Sequence, residues 1–128
     1  MSLLLDTHAM VWWFSGDRRM ARSVRRRIEA ANAIVYVSAV SAWELANKFR
    51  VGKLPDGKDL IDDLPAMLEA CSFRDLAITL EHGRRAGLLP GTRRDPFDRM
   101  LAAQAIVEGF EIATVDPTLA ALGARVFC

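Results

Sequence analysis

The chain has 128 residues, 52% of them hydrophobic and 26% charged, with 17 basic and 16 acidic side chains and a formal net charge of +1. That length suits a single domain with one core, residues 1–128, and the composition is that of a soluble globule rather than a disordered chain or an overall basic nucleic-acid binder. Two isolated cysteines, Cys71 and Cys128, exclude a disulfide framework or a thiolate zinc motif and fit a reducing, cytoplasmic compartment.

Short β-type runs alternate with helical patterns along the chain. Leu3 to Leu5 opens it, without the basic region, long apolar run and cleavage site of a secretory leader. Asp17 is placed to cap a helix running through Ala31. A second strand is expected over Ala33 to Val37, and a helix follows from Ser38. The uncharged stretch from Ala30 to Trp43 is too short to span a bilayer, so no membrane association is expected. Gly52 to Gly57 reads as an exposed loop. Leu60, Ile61, Leu64, Met67, Leu68 and Cys71 form an apolar stripe at helical spacing, kinked or restarted at Pro65.

A third strand is expected over Asp75 to Ile78, then a short helix capped by Thr79 and ended by Gly87. Leu89 to Arg94 reads as a second exposed loop. Asp95 followed by Pro96 starts a helix that Gly109 stops. Glu111 to Val115 and Arg125 to Phe127 supply two more strands, with Asp116-Pro117 repeating the start signal between them. This order predicts a three-layer α/β/α domain around a mostly parallel sheet of about five strands. Right-handed crossovers then bring the carboxyl ends of all strands to one edge, where such sheets bind ligands.

Asp6, Glu44, Asp98 and Asp116 each follow a strand or stand near a helix start on that edge. Taken singly, Asp6, Asp95 and Asp116 are explained as helix caps, and Glu44 as the partner of Ser41 in a capping box. Taken together they imply a carboxylate cluster. Two such charges about 4 Å apart repel by roughly 4 kcal/mol at an effective dielectric of 20, which protonation or a hard dication must offset. An all-oxygen donor set suits magnesium, with manganese as the second choice, rather than zinc. Thr114 falls on the same strand face as Asp116 and could hold water or support a carboxylate by its hydroxyl. His8 is read as a locally bonded side chain, and Trp12, Trp13, Phe14 and Trp43 as core or interface aromatics. The arginines at 18, 19, 22, 25, 26 and 27 read as a solvated helix face. Arg93, Arg94 and Arg99, beside the carboxylates, are candidates for phosphate contacts.

Four segments carry a resemblance that covers nearly the whole chain. They are Leu4-Leu5-Asp6-Thr7-His8, Ser38-Ala39-Val40-Ser41-Ala42-Trp43-Glu44-Leu45, the stretch from Arg94-Asp95-Pro96-Phe97-Asp98 to Ala105, and Thr114-Val115-Asp116. In order and spacing they resemble the PIN-domain ribonucleases, and within them the VapC-type toxins of bacterial toxin-antitoxin pairs. The resemblance implies that Asp6, Glu44, Asp98 and Asp116 form the catalytic quartet, with Asp6 and Asp98 the first choice as metal ligands and Glu44, Asp116 and Asp95 the alternatives. It favours Asp98 over Asp95, a choice that spacing alone leaves open. It further implies a homodimer, an antitoxin that inserts a segment into the active-site groove, and cleavage of RNA. Relatives often carry histidine where this chain has Arg93, a departure that bears on substrate preference.

The expected activity is therefore metal-dependent hydrolysis of RNA by activated water, leaving 5'-phosphate ends. The alternatives are a PIN-like domain that binds RNA or protein without cutting, an aspartyl-nucleophile phosphatase and a receiver-like module. The phosphatase lacks its second aspartate, since His8 stands there, and the receiver lacks a lysine at a late strand end.

Overall fold

The computed structural model describes residues 1–91 and 95–128. Five strands, β1 (Leu3–Leu5), β2 (Val35–Ser38), β3 (Arg74–Leu76), β4 (Glu111–Ala113) and β5 (Arg125–Phe127), form one sheet in the order β3-β2-β1-β4-β5. Every pairing is parallel. Eight helices connect them among the described residues: α1 (Thr7–Ser15), α2 (Arg22–Glu29), α3 (Ala39–Arg50), α4 (Lys58–Asp62), α5 (Leu64–Ala70), α6 (Leu80–Leu88), α7 (Pro96–Glu108) and α8 (Pro117–Ala121).

Strand alternation divides the core into two layers. Leu3, Leu5, Val35 and Val37 face α1, α2, α5 and part of α3, meeting Met10, Val24, Ile28, Leu45, Leu64, Leu68 and Phe73. Leu4 and Ile112 face the opposite layer, against Leu101, Ala102, Ala105, Leu119 and Leu122 of α7, α8 and the turn after α8. The expected three-layer architecture is present. Because β1 is buried on both faces, its sequence shows three consecutive leucines rather than alternation.

The helix starts follow their capping residues closely. Asp6, Ser38, Thr79, Asp95 and Asp116 all cap with their side chains, and Gly109 ends α7 in the left-handed conformation, φ 73°. The apolar stripe is broken between Asp62 and Leu64, as Pro65 requires.

Some boundaries differ from expectation. Asp17 does not cap α2, which begins at Arg22 after Ala21 with no side-chain cap and ends at Glu29. The Asp17 carboxylate instead accepts from the backbone and guanidinium of Arg19. The second strand is shifted to Val35–Ser38, and the third covers Arg74–Leu76 rather than Asp75 to Ile78. Helix α6 passes through Gly87 and stops at Leu88. Of the loop expected over Leu89 to Arg94, residues 92–94 lie outside the described residues. Among the described residues no helix is long and apolar enough to cross a membrane. Cys71 and Cys128 are free thiols.

Ser38 joins the two layers. Its hydroxyl accepts from the Val40 N–H at the start of α3 and donates to the buried Gln104 of α7. Ser38→Ala removes a cap and leaves the Gln104 oxygen without that donor, so chemical denaturation should show a loss of about 1–3 kcal/mol.

Candidate metal centre at the carboxyl edge of the sheet

Register sets the site. Leu5 of β1 lies beside Val37 on one side and Ala113 on the other, so Asp6, Ser38 and Thr114, each the next residue, leave the sheet at one level. The chain runs outward from β1 through β2 and β3, then returns to β4 on the other side. The crevice between β1 and β4 is thus the topological switch point.

A cleft of about 170 Å³ opens there, lined by Asp6, Thr7, His8, Glu44, Lys48, Asp95, Asp98, Leu101 and Asp116. All four acids of the expected quartet, and Asp95, reach it. Asp6, Asp95 and Asp116 arrive by capping α1, α7 and α8: Asp6 accepts from the Ala9 N–H at 2.7 Å, Asp95 from the Phe97 N–H at 2.9 Å and Asp116 from the Thr118 N–H at 2.9 Å. Cap and cleft residue are therefore not alternatives at this edge. The positive ends of the helices also favour the carboxylates gathered there. Asp98 arrives from the first turn of α7.

Glu44 does not belong to a capping box, because α3 starts at Ala39 and places it in the second turn. Two protein partners fix it. The buried Thr7 hydroxyl donates to Glu44 Oε1 at 2.7 Å and stands 3.1 Å from Ser41 Oγ, while Lys48 Nζ lies 2.9 Å from Glu44 Oε2, one helical turn on. Thr7, Ser41 and Lys48 were not among the candidates read from sequence. The signals for them were the Glu44–Lys48 spacing of four and the hydroxyl directly after Asp6.

Thr114, expected to hold water or support a carboxylate, directly follows β4. Its hydroxyl accepts from the Asp116 N–H at 2.9 Å and bonds the Asp6 carboxylate, tying two acids of the cleft together. Arg99 is directed elsewhere: its guanidinium donates to the carbonyls of Ala86 and Leu89 and so holds α7 to the end of α6. It is not among the described residues lining the cleft, which speaks against the phosphate contact expected of it. Arg93 and Arg94 lie outside the described residues.

Among the described residues, no three acid, histidine or cysteine side chains are already closed into a metal cage. The donor set nevertheless fits a hard dication, being all oxygen and crowded. Burial pushes the Asp6 carboxyl above the ordinary value, and the charge of Glu44 adds to the rise. The bonds from Thr114 and Ala9 and the charge of His8 offset part of it. A raised carboxyl contributes stability below its unfolded value and loses it as pH climbs through the folded one. Metal-free protein is therefore less stabilised by Asp6 at pH 7 than at low pH. Asp6→Asn keeps the cap and removes the charge, so its melting temperature in EDTA at pH 7 should exceed that of the wild type, with the gap closing toward pH 4. Lys48→Met should lower the metal-free melting temperature, and the loss should vanish in a Glu44→Gln background if the ion pair is its source.

Comparisons with known proteins bear on the family and the fold. Residues 3–124 match the family model described as PIN domain. The chain is 29% identical over 119 residues to Ribonuclease VapC22 of Mycobacterium tuberculosis, covering 92% of this chain and 89% of that protein. Its fold matches VapBC2 from Rickettsia felis, solved bound to a promoter DNA fragment, with a TM-score of 0.71 at 16% identity over 98% of this chain and 96% of that one. VapC20 of M. tuberculosis, a Sarcin-Ricin loop cleaving toxin, matches with a TM-score of 0.67 at 15% identity over 98% of each chain. The chain belongs to the PIN-domain family.

Proposed function

We propose that the protein is a divalent-metal-dependent endoribonuclease and acts as the toxin of a toxin-antitoxin pair in the cytoplasm. The observation that carries this reading is the arrival of Asp6, Glu44, Asp98 and Asp116 in one cleft at the switch point of a parallel sheet. Asp6 and Asp98 are the residues that would hold magnesium or manganese, with Asp116 and Asp95 at its side. A bound dication would lower the pKa of water and balance the charge that builds on a phosphodiester during in-line displacement.

The chain's own groups prepare that site. Thr114 fixes Asp6 and the backbone of Asp116. Thr7 and Lys48 hold both oxygens of Glu44, which fixes this carboxylate at the cleft rather than leaving it to rotate. Arg93 and Arg94 precede α7 in sequence and are assigned to RNA phosphates, whereas Arg99 is not. With water as the nucleophile and the 3'-oxygen as the leaving group, the products are a 5'-phosphate and a 3'-hydroxyl end, whereas attack by the neighbouring 2'-hydroxyl would leave a cyclic phosphate.

A homodimer and an antitoxin partner are part of the same proposal. Trp43 is 56% exposed, Leu80 93% and Leu88 66%, more apolar surface than the fold itself uses. Trp43 stands next to Glu44 and packs edge-on against Phe97, ring centres 4.7 Å apart, so one of these apolar surfaces adjoins the acidic cleft. Solved neighbours include VapBC2 from Rickettsia felis and a toxin-antitoxin complex from Klebsiella pneumoniae.

Purified protein incubated with total RNA and magnesium should cut it, EDTA should stop the cutting, and mapping should find 5'-phosphate ends. Glu44→Gln should slow cleavage by about two orders of magnitude or more. Cleavage that persists in EDTA, or cyclic-phosphate ends, would overturn the mechanism. An intact wild type that binds RNA but never cuts it would make the domain a binding module.

A further inference from the structure

Three flat groups follow one another from the rim of the cleft: His8 and Trp12 of α1, and Arg19 from the turn after it. His8 lines the cleft and is exposed to solvent. Its ring stacks on Trp12, with centres 5.9 Å apart and planes 29° from parallel. The Arg19 guanidinium lies 5.2 Å from the centre of the Trp12 ring. Their spacing explains the first contact, since residues four apart share a helix face. Asp17 explains the second: it accepts from the Arg19 backbone N–H at 2.8 Å and from Nη2 at 2.7 Å. That partnership draws the Asp17 carboxyl down to about 2.

Packing accounts for Trp12, which leans on the core. It does not account for an exposed imidazole at the mouth of an acidic cleft, backed by an indole and a clamped guanidinium. The surrounding arginines also divide. Arg25 lies over Trp13 and Arg27 pairs with Glu111, while Arg18, Arg22 and Arg26 are exposed to solvent. Met20 and Ala21, which stand between Arg18 and Arg22 in sequence, share a small hollow with Asp6, Thr114 and Trp12.

We propose that His8, backed by Trp12 and Arg19, is a stacking platform for an unpaired base of single-stranded RNA beside the scissile phosphate, with Arg18 and Arg22 holding the phosphates that continue from it. The inference rests on the ribonuclease reading and specifies its substrate form. Every base has a π face, so aromatic and guanidinium planes capture single strands without demanding a sequence, whereas bases stacked inside a duplex are closed to them. The crowded carboxylates of the cleft repel phosphate, and exposed arginines at its margin supply the attraction that the net charge of +1 does not.

The test is fluorescence anisotropy of a labelled 12-nucleotide single-stranded RNA and of its duplex, with calcium replacing magnesium to suppress cleavage. The wild type should prefer the single strand. His8→Ala and His8→Leu should each weaken its binding about five- to twentyfold, while His8→Phe, which keeps a flat ring without the imidazole nitrogens, should stay within about twofold of wild type. Arg18→Ala with Arg22→Ala should flatten the salt slope by about 0.7 for each phosphate that is no longer held. Unchanged binding in His8→Ala, weakening in His8→Phe equal to that in His8→Ala, or equal affinity for the duplex would overturn the platform. If the wild type cuts RNA while His8→Ala binds normally, the platform alone falls. If His8 governs single-strand binding but magnesium never elicits cutting, the nuclease reading alone falls.

Discussion

Three parallel strands ending at one level is the constraint on which the rest of this molecule depends. β1 sits between β2 and β4 with Leu5 in register with Val37 and Ala113, so the chain must leave all three strands at the same edge. A slip of one residue in either pairing would also turn the leucines of β1 to the wrong layer, so the two-sided core enforces the register. The hydrophobic effect, acting on residues remote from the cleft, thereby determines where charged groups meet.

Concentrating carboxylates there works against folding. The structure limits the cost by giving most of the acids a second bond: Asp6, Asp95 and Asp116 cap helices, Glu44 is held by Thr7 and Lys48, and Thr114 bridges Asp6 to the backbone of Asp116. Each of these bonds also fixes the direction of a side chain. Stability and preorganisation are thus served by the same contacts, while Asp6, the acid nearest the core, keeps a clear electrostatic penalty, seen in its raised carboxyl.

Much of this could be read from the chain because the decisive signals are local. Asp95-Pro96 and Asp116-Pro117 announce helix starts by the chemistry of a cap followed by a residue without an N–H, and Gly109 announces a stop. Strand order and the shared edge follow from the alternation of elements and the handedness of crossovers. Side-chain choice among several partners was less legible. Asp17 offers the same cap chemistry as Asp95, yet Arg19 two residues on captures it. Arg99 follows Asp98 directly in sequence, yet its guanidinium binds the carbonyl end of α6, which sequence does not show to be near. Lys48 became meaningful only once Glu44 was seen facing the cleft, and His8 only once it was seen at the rim.

The account therefore stands on carboxylates that act as one binding unit. Its most direct test is calorimetric titration of manganese into the wild type and into Asp6→Asn and Asp98→Asn, each checked for folding by circular dichroism. The account predicts saturable binding to the wild type and affinity at least a hundredfold weaker in either variant. Folded variants that bind manganese as tightly as the wild type would contradict it.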